Sequence, residues 1–246
     1  NANLIITGSF DVAAIKAIVE KYYGSWKSAM GNTNGVSLDQ PAIKKREVYF
    51  INRNSATQCA LQWNKPAPAV GEKDQLAFHI ANSMFNEVLF KEIREKGGKT
   101  YGISSAYHAG KFSNLYSVTC SVRSSEMYNT IELFDKTLTD FSIKPLDEAT
   151  FKETVYRQIV NIERMESPEE ISGFYNPLIY NFEKRKNRIS ELKALTLDDV
   201  QKAIKKYYTP GIYKLVVAGD EKAVTDQLAK LKDAKKLQAA DIEKDN

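Results

Sequence analysis

The sequence predicts an α+β fold in which a mostly antiparallel sheet is covered by helices. Short stretches of alternating or continuous apolar residues, such as 47–52 and 58–63, read as strands, whereas stretches with apolar residues three and four apart, such as 77–93 and 127–141, read as helices. From residue 47 onward the strand-like stretches come mainly first and the helical ones second, an order that layers helices on a sheet. The chain's 246 residues suffice for one large domain, or one domain plus a fragment, and 43% hydrophobic with 27% charged residues is an ordinary folded composition.

At the start of the chain, Asn3 to Thr7 (NLIIT) reads as a strand, and Gly8-Ser9-Phe10-Asp11 leads into a helix through Ile15, Ile18 and Val19 to Tyr22. Lys214 to Ala218 (KLVVA), Gly219-Asp220 and a helical run through Val224, Leu228 and Leu231 repeat that plan. If this element closes a structural unit, residues 1–27 are the closing strand and helix of a preceding half-domain. The polar, Gly- and Asn-rich residues 28–42 are then a linker, and 43–246 form a second half-domain. Such strand-turn-helix units are also common in unrelated α/β proteins.

Within 43–246, EVYFIN (47–52) and QCALQW (58–63) are strands, the second with Cys59, Leu61 and Trp63 on one face and Gln58, Ala60 and Gln62 on a wet one. Pro66 and Pro68 break the chain. A helix from Glu72 then aligns Ala77, Ile80, Ala81, Met84, Phe85, Val88 and Leu89, and ends at Gly97-Gly98, where one glycine is expected at positive φ. Tyr101 to Ala109 and Tyr116 to Arg123 read as strands joined across Gly110 to Asn114. Helices follow through Met127–Phe141 and Phe151–Ile162, and then from two capped starts, Ser167-Pro168-Glu169-Glu170 and Thr196-Leu197-Asp198-Asp199.

The formal charge of +4 is dispersed among interleaved acids and lysines, which argues against nucleic acid as a partner, and no apolar run reaches the ~20 residues needed to span a bilayer. Cys59 and Cys120 sit at apolar positions and suit buried free thiols. A zinc hydrolase needs two or three converging His, Asp or Glu ligands and a carboxylate to activate water. His79 and His108 are the only histidines and belong to no H-E-x-x-H or H-x-x-E-H pattern, so no metal ligand is assigned. His79 shares its helix face with Gln75, Asn82 and Asn86, which suits a solvated or hydrogen-bonded side chain.

The segment FKEIREKGGKTYG (90–102) is the most informative. It puts Arg94 in the last turn of a helix and Tyr101 at the start of the next strand, with Gly97-Gly98 between them. A cation favours a helix C-terminus anyway, so out of context this is ordinary structure. Ile93-Arg94-Glu95 with Gly97-Gly98 and Tyr101-Gly102, however, resembles a motif of the second half-domains of M16 (insulinase/pitrilysin-like) zinc metallopeptidases, at the same arginine-to-tyrosine spacing. Residues 4–23 and 195–220 likewise resemble the closing strand and helix of that family's first and second halves.

The resemblance implies a LuxS/MPP-like half-domain facing an N-terminal, zinc-bearing half, in the same chain or a separate subunit, across a cavity that holds a peptide substrate. Zinc belongs to the full enzyme and not to this chain. Arg94 and Tyr101 are carried over as the residues that act on substrate, with Gly97 and Gly98 shaping the loop between them. A phenol O–H could stabilise the oxyanion of peptide hydrolysis, and a guanidinium fork could bind a substrate carbonyl or carboxylate and orient the tyrosine. The resemblance also leans towards a bacterial periplasm or cell envelope. The alternatives are an M16-like pseudo-peptidase serving as a non-catalytic partner or scaffold subunit, and an unrelated α+β binding module in which both residues are structural.

Overall fold

Apolar alternation in the strands is matched by a one-sided core. The computed structural model describes residues 4–27, 43–69, 71–98, 100–109, 114–175 and 187–237. They fall into two compact units, residues 1–38 with 156–194 and residues 39–155 with 195–246. The expected linker, 28–42, and most of the expected turn at 110–114 lie outside the described residues.

In the first unit, α1 (Val12–Tyr23) is capped by Asp11, whose carboxylate accepts the Ala14 N–H at 2.7 Å. The helix is as the periodicity predicts, but Leu4–Thr7 is not a strand. A strand needs a neighbouring ladder for its backbone groups, and the described residues of this unit provide none. Helix α5 (Pro168–Tyr175) begins as expected, with Ser167 and Glu170 exchanging side-chain and backbone hydrogen bonds as a capping box. Helix α6 (Arg188–Ala194) is also present. Helix α4 (Glu148–Glu163) supplies residues to both units.

The second unit holds strands β1 (Glu47–Asn52), β2 (Gln58–Pro66), β3 (Thr100–Ala109), β4 (Asn114–Arg123), β5 (Lys214–Gly219) and β6 (Ala234–Leu237) in the order β3-β4-β2-β5-β1-β6. The pairings from β3 to β5 are antiparallel, whereas β5-β1 and β1-β6 are parallel. The sheet is therefore mixed, with antiparallel pairing in the majority. Helices α2 (Gln75–Leu89), α3 (Met127–Ile143), α7 (Leu197–Tyr207) and α8 (Glu221–Lys230) complete the unit. Helix α7 starts at the predicted capping box of Thr196 and Asp199.

The core lies on one sheet face, where Cys59, Leu61 and Trp63 of β2 meet Val48, Phe50, Val118, Val122, Leu215 and Val217, all almost fully buried. Trp63 stacks on Phe134 of α3 with ring centroids 4.2 Å apart. Phe78 of α2 meets Tyr107, Tyr116 and Tyr207 edge-on. Both cysteines are buried free thiols, and burial pushes Cys120 up to about 12.

Lys65 is fully buried at the end of β2, and its ammonium donates to the carbonyls of Thr209 (2.8 Å) and Ile212 (2.6 Å). Burial lowers its pKa to about 8, against the opposing charge of Asp135. Asp135 in turn accepts the Tyr213 O–H at 2.7 Å, and Arg46 donates to the Tyr213 oxygen at 2.8 Å and to Asp233 at 2.7 Å. Since the unfolded chain holds the Lys65 proton up to the ordinary lysine pKa of ~10.4, it binds more protons than the folded chain between about pH 8 and that value. Stability is therefore expected to rise with pH across that window, by about 1–2 kcal/mol between pH 7.5 and 9.5 from this group. Urea unfolding at the two pH values checks it: Lys65→Met should flatten the rise, and an equal rise in both proteins would contradict the assignment.

Candidate functional site

The stretch singled out by sequence sits where α2 hands over to the edge strand β3. The helix does not stay α-helical to its glycines. From Phe90 to Lys96 it widens into a π-helix, so Arg94 lies in a π turn and not in the last α turn. The Gly97 N–H reaches back five residues to the Glu92 carbonyl at 3.1 Å, and the Gly98 N–H bonds Arg94 O at 3.1 Å. Such widened turns carry an extra residue and recur at functional sites.

Each glycine has its own reason. A Cβ on Gly97 would sit 2.6 Å from the Ile93 carbonyl oxygen, while Gly98 has φ +59°, the positive φ expected of one of the pair.

Strand β3 then opens with a bulge. Thr100 pairs with Val122 and Ile103 with Cys120, so Tyr101 and Gly102 together oppose Ser121. The Thr100 hydroxyl stitches the irregularity, donating to Ser121 O at 2.7 Å and accepting the Gly102 N–H at 3.2 Å. The bulge sets the Tyr101 ring out from the sheet with 90% of its surface exposed, and its O–H makes no hydrogen bond to a described residue. The phenol is therefore an available donor.

Arg94 is also exposed, with its guanidinium carbon 4.6 Å from the Phe90 ring centroid. No hydrogen bond joins Arg94 to Tyr101. Any joint action of the two would therefore run through a bound ligand.

Two asparagines hold β3 to α2, which the sequence reading placed on a solvated face with His79. Asn86 accepts the Ser105 N–H at 2.6 Å and donates to its carbonyl at 3.2 Å. Buried Asn82 accepts the Ser105 hydroxyl. These bonds occupy part of the outer edge of β3. His79 is exposed, as expected.

On the sheet face away from the helices, Tyr101 borders an open cavity of about 610 Å³, floored by β2, β4 and β5. Its relation to Tyr101 escaped the sequence reading, although the wet alternation of Gln58, Ala60 and Gln62 was the signal that marks this face.

Among the described residues, no group of three or more His, Cys, Asp or Glu side chains is placed to hold a metal ion, so the donors present here do not fit a zinc site. No helix among the described residues is long and apolar enough to cross a membrane.

The fold is shared with solved structures. A peptidase M16 inactive domain from Pseudomonas fluorescens superposes with a TM-score of 0.66 at 20% identity, covering 74% of this chain and 45% of that one. A protease from Helicobacter pylori gives 0.75 at 12% identity, covering 85% and 53%. The periplasmic protease PqqL from Escherichia coli gives 0.69 at 16% identity, covering 87% and 24%. This chain thus spans about half or less of the length of these proteins. No curated protein sequence matches it significantly. A family model described as the peptidase M16 inactive domain matches residues 1–156, well over half of the sequence, and the chain accordingly belongs to the M16 inactive-domain family.

Proposed function

We propose that this chain is the substrate-binding, non-catalytic half of an M16-type zinc peptidase, working opposite a zinc-bearing half and contributing Tyr101 and Arg94 to the shared cavity. The observation that carries the reading is Tyr101 itself: a phenol 90% exposed, raised on a stitched bulge, with no hydrogen bond to a described residue and with a cavity at its foot. Exposing an aromatic ring in this way costs the fold hydrophobic burial, and a bound peptide would supply it.

In this role the Tyr101 O–H donates to the oxygen of the scissile carbonyl as negative charge gathers there, a bond strongest in the transition state. Arg94, on the π turn, offers a planar fork to a carbonyl or carboxylate of the same peptide. Gly97 and Gly98 let the chain turn tightly between the two. Similarity to a periplasmic protease supports placing the protein in the bacterial periplasm or envelope.

The division of labour is tested by metal analysis and a peptidase assay. The dialysed chain is expected to hold no stoichiometric zinc and to hydrolyse no peptide by itself, and to do so only when joined to or mixed with a zinc-bearing half. One tightly held zinc per chain, lost on substituting His79 or His108, would overturn it.

A further inference from the structure

The face under Tyr101 follows from strand register. One row across the sheet runs Ser104, Thr119, Gln62, Val216, and the next runs Gly102, Ser121, Ala60, Ala218. The second row consists only of small residues, so the surface dips along it. Gln58 and Gln62 rise on either side, since side chains two apart on β2 share a face. Tyr101, displaced by the bulge, stands at the end of the dip.

None of the described residues lining this cavity carries a charge, although 27% of the chain is charged. What it offers is hydrogen-bonding groups: the Thr119 and Ser121 hydroxyls and the Gln58 and Gln62 amides, all exposed. Gln62 is oriented by donating to Asn64 Oδ1 at 3.0 Å, which leaves its own carbonyl oxygen as an acceptor.

We propose that this cavity is a specificity subsite, taking a short stretch of the peptide addressed by Tyr101 and selecting uncharged, hydrogen-bonding or small side chains against ionised ones. The inference rests on the reading of Tyr101 as a substrate-facing residue. Its volume of about 610 Å³ falls in the range of ligand pockets, ~300–1,000 Å³, large enough for more than one side chain. An ionised side chain entering it loses water and meets no counter-charge among the described lining residues, whereas an amide or hydroxyl exchanges its water bonds for those of Thr119, Ser121 and Gln62. Discrimination thus comes from a penalty on the wrong residue as much as from attraction to the right one.

The test uses the whole chain and capped pentapeptides acetyl-Ala-Ala-X-Ala-Ala-amide with X as Gln, Ser, Glu or Lys, read by NMR shifts of the Gly102 and Ser121 amides. The Gln and Ser peptides are expected to shift both amides and to bind about tenfold more tightly than the Glu and Lys peptides. Gln62→Glu places a carboxylate on the floor and is expected to raise affinity for the Lys peptide about tenfold while weakening the Glu peptide further. Ala60→Tyr, at an exposed position, fills the dip and should weaken all four peptides. Equal binding of charged and neutral peptides to the wild type and to Gln62→Glu, with shifts still at Gly102, would overturn the subsite but leave Tyr101 facing substrate. Shifts confined to residues far from both would overturn the two readings together.

Discussion

Replacing Tyr101 by phenylalanine in the two-half enzyme is expected to lower the turnover rate by about 10²–10³, or about 3–4 kcal/mol, with a much smaller change in KM. The phenol bond is completed only as the carbonyl oxygen gains charge, so its loss is felt in the transition state. Folding should be spared. The ring is 90% exposed and its O–H bonds no described residue, so the melting curve should move little and the rate loss cannot be assigned to unfolding. Arg94→Lys keeps the charge but removes the fork, and should damage substrate affinity and turnover together. Steady-state kinetics on each variant, beside its melting curve, check both. Wild-type turnover in Tyr101→Phe would leave Arg94 and Tyr101 as ordinary helix-end and strand-start residues.

Trp63→Ala is expected to cost the sheet-bearing unit about 3–5 kcal/mol of stability. Trp63 is fully buried and stacked on Phe134, which joins the centre of the sheet to α3. Its indole N–H has no hydrogen-bond partner among the described residues, so the loss is packing and the cavity left behind. Trp63→Phe should accordingly retain most of the stability. Urea unfolding followed by far-UV circular dichroism measures the difference, and a cost below about 1 kcal/mol for Trp63→Ala would show that this contact does not organise the core.

Much of this architecture was legible because it rests on local patterns. The strands β1 and β2 declare themselves by alternation, and the starts of α5 and α7 by Ser167–Glu170 and Thr196–Asp199, whose side chains bond their own backbone neighbours. Buried Cys59 and Cys120, the positive φ at Gly98 and an exposed His79 are of the same kind.

What was not legible depends on partners distant in sequence. The sequence AKKL (234–237) is short and half lysine, and becomes the strand β6 only by pairing with β1. A parallel pairing of β5 with β1 has no signature in either strand. Lys65 reads as a surface residue until the Thr209 and Ile212 carbonyls are seen to enclose its ammonium. Asn82 and Asn86 read as a wet helix face and are instead the clasp that holds Ser105. At the site itself the residue types and spacing of Arg94, Gly97, Gly98 and Tyr101 were readable. The π turn and the bulge that aim them were not, because each inserts one residue into a regular ladder without changing composition.

The central claim is that Tyr101 faces bound peptide, and photo-crosslinking from that position tests it most directly. With p-benzoylphenylalanine in place of Tyr101 in the two-half enzyme, irradiation beside a biotinylated peptide substrate should join the label to this chain, and excess unlabelled peptide should abolish the product. A probe at exposed Tyr156 serves as the control and should capture none. Absence of a crosslink from position 101, or one that excess peptide does not compete away, would contradict the account.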